Sequence, residues 1–349
     1  MARVDQRHAS IGSRFVSTTT QVRVGLDLDG SLESLDNTMT DLADALSNTG
    51  ECHLVRFRTQ SAVKSPGEQR IAFRALWSPL WRRSLGPAID LRLPPLDVVH
   101  VAGLATPPTA NVPLIISVDD LRPLRGESRE HQRINQLRRA AARGAVLVAS
   151  SRSASHEVQR ELGLQRSQVV VVPPAVPLVA ATIDGGELVV NITGLDDRFL
   201  ELAPRLLEFV NRHGAKVVAV ASTAVGQRIR SSGLPVKVLA RRDARDALRQ
   251  ARVVLHMSDG ARFPSFAIAA LGAGIPTIAL ATSINRELLG GAAALAQEDE
   301  EVLSTLPDVW SSAERRSIME AAGRARAVDF APATAARAYL ALYRDVVRG

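Results

Sequence analysis

The chain of 349 residues is poor in several residue types that carry chemistry elsewhere. It has one cysteine, Cys52, and aromatic residues make up only 4 % of it. A single thiol excludes an intramolecular disulfide framework and a cysteine-rich zinc site. Lysine is nearly absent as well: Lys64, Lys216 and Lys237 are the only three among 43 basic residues, the rest being arginine, and the net charge is +7. The arginines alternate with acids along most of the chain, and so few aromatics leave no basic stripe with interleaved rings, which argues against nucleic-acid binding. An acidic partner, such as a nucleotide diphosphate or an anionic lipid, suits the charge better. No apolar run reaches the roughly 20 residues that a membrane-spanning helix needs. The first twenty residues, MARVDQRHASIGSRFVSTTT, lack the apolar stretch of a secretory signal and read as a polar, poorly ordered lead. A cytoplasmic protein is expected.

What the chain does contain is regular alternation. Residues 22–28 (VRVGLDL) form a short apolar run that reads as a buried strand. Leu32, Leu35, Met39, Leu42 and Leu46 then recur at helical spacing up to Gly50. Further strands are expected at 51–59, 96–103, 112–121, 145–151 and 167–176, with a basic helical region over 68–91 and helices near 129–144 and 153–164. Alternating strand and helix over this length means a parallel sheet covered on both faces. Residues 177–187 (PLVAATIDGGE) lack any period and suit a hinge, after which the alternation restarts with ELVVNIT. The tail from 302 to 347 is mainly helical. The expected organisation is a lead over 1–20, a first lobe over 21–180, a second over 187–332 and a last helix over 333–349. Ligands of such sheets bind beyond the carboxyl ends of the strands, in a cleft between the lobes.

The most informative stretch is 258–295, SDGARFPSFAIAALGAGIPTIALATSINRELLGGAAAL. A strand ends in a small-residue loop, a helix opens after Pro264, Gly272 and Gly274 stop it, and Pro276 starts a strand. A helix N-terminus at a sheet's carboxyl edge attracts phosphate or carboxylate groups. This stretch resembles the signature of the family 4 group of retaining GT-B glycosyltransferases, typically E-G-F-P-N-x-x-x-E-A-M-A-x-G-x-P. Phe263, Pro264, Ala270, Leu271, Gly274 and Pro276 fall on matching types. Three other segments are similar to the family in order and spacing: DVVHVAGLATPPTANVPLIISVDDLRPL, AVLVASSRSASHEVQRELGLQRSQVVVVPPAV and VKVLARRDARDALRQARVVLHMS. The resemblance covers roughly residues 22–335.

The resemblance implies an α/β chain of GT-B type, two Rossmann-like domains facing across a cleft. It also implies transfer of a sugar, with retention, from a nucleotide-diphosphate sugar to a glycan, lipid-linked or protein acceptor. No metal and no cofactor are implied. The chain departs from the pattern where the donor is held. The two signature glutamates fall on Ala261 and Ala269, and a methyl group accepts no hydrogen bond. Of the basic pair that holds the diphosphate, Arg198 stands near the lysine position, and Asp196 and Asp197 add negative charge beside it. The acceptor-side histidine falls on Asp119, and SLESLD replaces a Gly-rich turn after the first strand. Compensating donor contacts are expected from Asp259, Arg262, Pro264 and Ser265 together with Arg198. His100 and Asp119 are the catalytic candidates, and no catalytic triad is recognisable from spacing. Losing two charge-assisted bonds at roughly 1.5–3 kcal/mol each makes weak donor binding the expectation. A catalytically inactive relative that binds a ligand, or stabilises an active partner glycosyltransferase, is the second reading.

One segment points to a surface. Residues 70–89, RIAFRALWSPLWRRSLGPAI, carry Phe73, Leu76, Trp77, Leu80, Trp81 and Leu85 with Arg70, Arg74, Arg82 and Arg83, and Arg92 follows. A basic helix with tryptophan on its apolar side suits an anionic membrane surface, peripheral at the inner face. The same tryptophans could equally pack onto the sheet.

Overall fold

The computed structural model describes residues 21–29, 38–62, 65–102, 106–118, 127–179, 185–194, 196–240, 243–258, 260 and 262–349. The lead over 1–20, residues 180–184 of the expected hinge, Asp119, Asp259 and Ala261 lie outside the described residues.

The first lobe runs β1 (Val22–Asp27), α1 (Thr38–Thr49), β2 (Cys52–Phe57), α2 (Arg74–Trp81), β3 (Val98–Val101), β4 (Leu114–Val118), α3 (Glu127–Ala142), β5 (Val146–Ala149), α4 (Arg152–Leu162) and β6 (Val169–Val171). Its strands form a parallel sheet in the order β2-β1-β3-β4-β5-β6. Every residue of β3 and β4 is buried, as helices on both faces require. In α1 the buried residues Met39, Leu42, Ala43 and Leu46 keep the spacing of one helix face. The α4 helix starts where the Ser151 hydroxyl accepts a hydrogen bond from the Ala154 N–H, and it ends at Gly163 in the left-handed conformation.

The second lobe runs β7 (Glu187–Thr193), α5 (Asp196–Arg212), β8 (Lys216–Ala221), α6 (Thr223–Ser231), β9 (Lys237–Ala240), α7 (Ala244–Leu248), β10 (Ala251–Ser258), α8 (Ser265–Gly272), β11 (Thr277–Leu280), α9 (Ser283–Leu289), β12 (Ala294–Ala296), α10 (Asp299–Ser311) and α11 (Ala313–Ala327). Its parallel sheet has the order β12-β11-β10-β7-β8-β9. The first strand of each lobe therefore sits at a reversal of strand order, beside β3 in one and β10 in the other. Such reversals open a crevice at the carboxyl ends.

The last helix, α12 (Pro332–Arg348), packs on α1, β1 and β3 of the first lobe through Ala336, Tyr339, Leu340 and Tyr343. The Val176 N–H donates to the Phe330 carbonyl at 2.9 Å, and Arg245 pairs with Asp41 at 3.2 Å. Both contacts join the lobes.

Two sequence expectations change. The helix expected over 68–91 shrinks to α2 and a 3₁₀ turn at Asp90–Arg92. Phe73 and Ser84 bracket α2 with φ of 55° each, and Gly86 follows at φ 97°, which no helix accommodates. The short α6, α9 and β12 were not separable in the sequence, because none is long enough to show a period.

Candidate functional site

At the carboxyl end of β1, Asp27 and Asp29 turn into the lobe instead of facing a ligand. Asp27 is fully buried and accepts from the Asp29 N–H at 3.0 Å and the Thr59 N–H at 3.2 Å, with the Thr59 hydroxyl on its second oxygen. Burial, and then the neighbouring Asp29 charge, push its carboxyl up to about 8 against those hydrogen bonds, so it is protonated at neutral pH. Asp29 accepts from the Gln60 and Ser61 N–H groups and lies 3.5 Å from Arg58. Its partial burial would raise its carboxyl, but hydrogen bonds from Ser61 and Gln60 and the Arg58 charge outweigh that and hold it low. Arg58 also reaches Glu68 at 3.0 Å. This network ties β1 to the loop after β2.

His100, a catalytic candidate, lies within β3 at zero exposure. Its Nδ1 is 2.8 Å from the Tyr343 hydroxyl and its Nε2 is 2.8 Å from the Ser117 hydroxyl. The ring stacks on Tyr339 at 5.3 Å. Desolvation lowers its pKa to about 3. With both nitrogens engaged and no exposed surface, the imidazole fastens α12 to the first sheet and offers nothing to a cleft ligand.

The crevice of the second lobe lies where β7 and β10 end side by side, with Thr193 paired in register to Ser258. Behind it, Asn191 Nδ2 and His256 Nδ1 meet at 2.9 Å in the interior. The Ser258 hydroxyl accepts from the Gly260 N–H at 3.3 Å, which turns the chain toward α8. Gly260 has φ of 79°, and a Cβ there would stand 2.6 Å from the Thr282 Cβ, so the tight approach of the two loops requires glycine. The α8 helix opens at Pro264 and no side chain caps it. Ser265 is its first residue and is buried, Arg262 is half-buried just before it, and Phe263 packs edge-on to Phe330 at 5.7 Å. Ala269 lies within α8, buried in the core between helix and sheet.

Arg198 is engaged elsewhere. In the first turn of α5 it forms an ion pair with Asp299 of α10, both side chains half-buried, and Asp197 pairs with Arg228. The structure thus brings Arg262, Pro264 and Ser265 together at the start of α8, while His100 lies in the first lobe's interior.

The lobes meet across a cavity of about 740 Å³. Ser153, His156 and Arg160 of α4 line one wall, and Gly260, Thr282 and Arg286 line the other. The helices on the two walls, α4 and α9, are also joined by hydrogen bonds. The Glu287 carboxylate of α9 accepts from the Arg152 N–H at 2.7 Å, the Ser153 N–H at 2.8 Å and the Ser153 hydroxyl at 2.7 Å. Partial burial would raise this carboxyl, but the hydrogen bonds from Ser153 and Arg152 outweigh burial and hold it below the usual range. A carboxylate of the second lobe thereby caps a helix of the first. The Ser-rich turn SSRSAS advertised the capped helix, whereas nothing in SINREL marked Glu287 as its partner.

Two doubly wound lobes, joined by a helix that returns from the second to the first and facing each other across a crevice, decide the architecture. The fold is that of the GT-B glycosyltransferases. Sucrose-phosphate synthase from Thermosynechococcus elongatus superposes with a TM-score of 0.68 at 14 % identity, over 94 % of this chain and 99 % of that one. HepE of Anabaena in complex with UDP and glucose gives 0.63 at 15 % identity, over 93 % and 99 %. A glycosyltransferase from Rickettsia africae gives 0.63 at 10 % identity, over 95 % and 100 %. No family model matches the sequence, and no curated protein does. At such identities the GT-B likeness is one of fold. Among the described residues, no group of three or more His, Cys, Asp or Glu could hold a metal ion.

Proposed function

We propose that this protein transfers a sugar, with retention, from a nucleotide-diphosphate sugar to a glycan, lipid-linked or protein acceptor. The observation that carries the reading is the interlobe cavity at a GT-B crevice, with Gly260 in its wall and the uncapped start of α8 a few residues beyond. The N–H groups at a helix start favour a diphosphate, and they would stabilise the negative charge that builds on it as the glycosidic bond breaks. Arg262 and Ser265 flank that position, and Asp259 is the nearest carboxylate in sequence for a sugar hydroxyl. Arg198 would join the donor by leaving Asp299. The cytoplasm is the compartment that suits a chain with one cysteine and a nucleotide-sugar donor.

HepE was solved with UDP-glucose, which makes uridine diphosphate sugars the first donors to try. Calorimetry with uridine, guanosine and thymidine diphosphate sugars is expected to show binding of roughly millimolar strength, because the positions of Ala261 and Ala269 supply no carboxylate. Glutamate at both positions should tighten it. Micromolar binding by the unmodified chain that disappears in Arg198→Ala would show a rebuilt donor site. Absence of binding both before and after the glutamates are introduced would refute the donor reading and favour a ligand-free role beside an active partner enzyme.

A further inference from the structure

The interlobe cavity is polar on both walls, and helix spacing sets the residues that line it. On α4, Ser155, Val158 and Leu162 are buried in the first lobe. Ser153, His156 and Arg160 recur at three- and four-residue steps on another face, and that face lines the cavity. From Ser153 to Arg160 the face runs for roughly 10 Å, at about 1.5 Å per residue. The second lobe supplies Thr282, Ser283 and Arg286 from the start of α9. One residue further on, Glu287 accepts from the Ser153 N–H and hydroxyl, so the fold itself fixes the spacing of the two walls.

The hydroxyls on these walls keep unused capacity. Ser153 Oγ donates its proton to Glu287 at 2.7 Å and retains its lone pairs, while Thr282 Oγ1 accepts from the Asn285 N–H at 3.2 Å and retains its O–H to donate. Among the described residues, the walls carry no aromatic ring, and Ile284, their only long aliphatic side chain, is buried. A prenyl chain or an aromatic aglycone finds little to pack against there, whereas sugar hydroxyls find donors and acceptors. The charge is uneven. Two guanidiniums, Arg160 and Arg286, stand against one carboxylate, Glu157, which has a contact of its own. Arg286 donates to the neutral Gln297 side chain at 2.6 Å and keeps its full charge. Arg160 pairs with Glu161 at 3.1 Å, but both side chains are exposed, and such a pair yields at little cost to a better anion. A guanidinium fork matches phosphate and carboxylate in shape and charge. A cavity of about 740 Å³ has room for a sugar that carries one of them.

We infer that the acceptor is a hydrophilic sugar bearing a phosphate or a carboxylate, its anion held by Arg160 and Arg286 across the cavity between α4 and α9. This acceptor class rests on the transfer reading above, while its binding is measured without any donor. Calorimetry on the full chain tests it, with five ligands: glucose phosphorylated on its primary hydroxyl, glucuronate, glucose, octyl glucoside and inorganic phosphate. One of the two anionic sugars should bind about tenfold or more tighter than glucose, and the tighter of the two identifies the anion. Octyl glucoside should bind no better than glucose. Arg160→Gln and Arg286→Gln should each weaken the anionic sugar by about tenfold and leave glucose unaffected. Both side chains are exposed, so the melting temperature should stay where it is. No binding of either anionic sugar, equal binding of charged and uncharged sugars, preference for octyl glucoside, or full binding by both variants would overturn the inference. Inorganic phosphate bound as tightly as the sugar phosphate would overturn it too, by showing that no sugar is recognised. Nucleotide-sugar binding without any preference among the sugars would remove this acceptor and leave the transfer reading in place. Preference for an anionic sugar without nucleotide-sugar binding would support the site and remove the transfer.

Discussion

Acidification tests how α12 is fastened. His100 titrates near 6.5 in an unfolded chain and near 3 in the folded one, because burial disfavours the imidazolium. Between those values the unfolded state binds the extra proton, so the stability that neutral His100 contributes is complete above pH 6.5 and is lost as pH falls toward 3. From pH 7.5 to 5 the loss amounts to about 2 kcal/mol, at 1.36 kcal/mol per unit once pH is below 6.5. Asp27 works the other way. Its carboxyl is held near 8 when folded, so the folded state binds the extra proton and stability rises as pH falls from 8 toward 4. Over the same window that gain is about 3 kcal/mol. Together these two groups leave the parent protein a net gain of about 1 kcal/mol from pH 7.5 to 5, and only a variant exposes the two opposed slopes. Asp27 is protonated throughout most of the window, so it offers no charge to rescue an imidazolium on the adjacent strand. Urea unfolding of the parent and of His100→Gln at pH 7.5, 6.5, 5.5 and 5.0 is the assay, followed by fluorescence and circular dichroism together. Relative to the parent, the variant should gain about 2 kcal/mol between pH 7.5 and 5, whatever its fixed cost. Parallel profiles would refute the argument and show that His100 is protonated or reaches water in the folded state.

The complementary variant, Asp27→Asn, should remove the opposing slope, leaving a protein whose urea midpoint falls steadily from pH 7.5 to 5; a profile parallel to the parent's would count against a protonated Asp27. Glu287→Ala removes the carboxylate that caps α4 from the other lobe, and should cost about 1–2 kcal/mol and enlarge the radius of gyration in small-angle scattering as the lobes separate. An unchanged radius would mean that Val176, Phe330 and α12 hold the lobes without it. Gly260→Ala should lower the melting temperature through about 1–2 kcal/mol of backbone strain and a clash with Thr282. Combining it with Thr282→Gly, which removes the clashing Cβ, should relieve the clash alone, and full recovery relative to Thr282→Gly by itself would show that the positive φ is not required.

Much of this molecule was legible in its residues. Branched apolar runs such as VVHV and LIIS are hydrophobic on both faces and specify buried parallel strands, because only such strands must meet helices above and below. Leu42 and Leu46 and the Ser-rich turn before α4 fix helix faces and starts by local sterics and capping, which need no distant partner. The series of segments around residues 258–276 located the crevice for the same reason: a strand end, a tight glycine turn and a helix start are local events. Side-chain partnership was not legible, because it depends on residues far apart in the chain. Nothing adjacent to His100 announces Tyr343, 243 positions later, yet that contact turns a candidate catalytic histidine into an interior fastening. Arg198 reads as a free cation until α10 brings Asp299 to it, and Glu287 reads as a surface acid until the lobes close on α4. Around α2 the composition already held both tryptophans and arginines, but which rings face the sheet and which face solvent was decided by the left-handed turns at Phe73 and Ser84 and by the space beneath Trp81. Local chemistry wrote the elements and their order; the packing of lobe on lobe chose which polar groups satisfy one another and which remain at the surface to meet a partner.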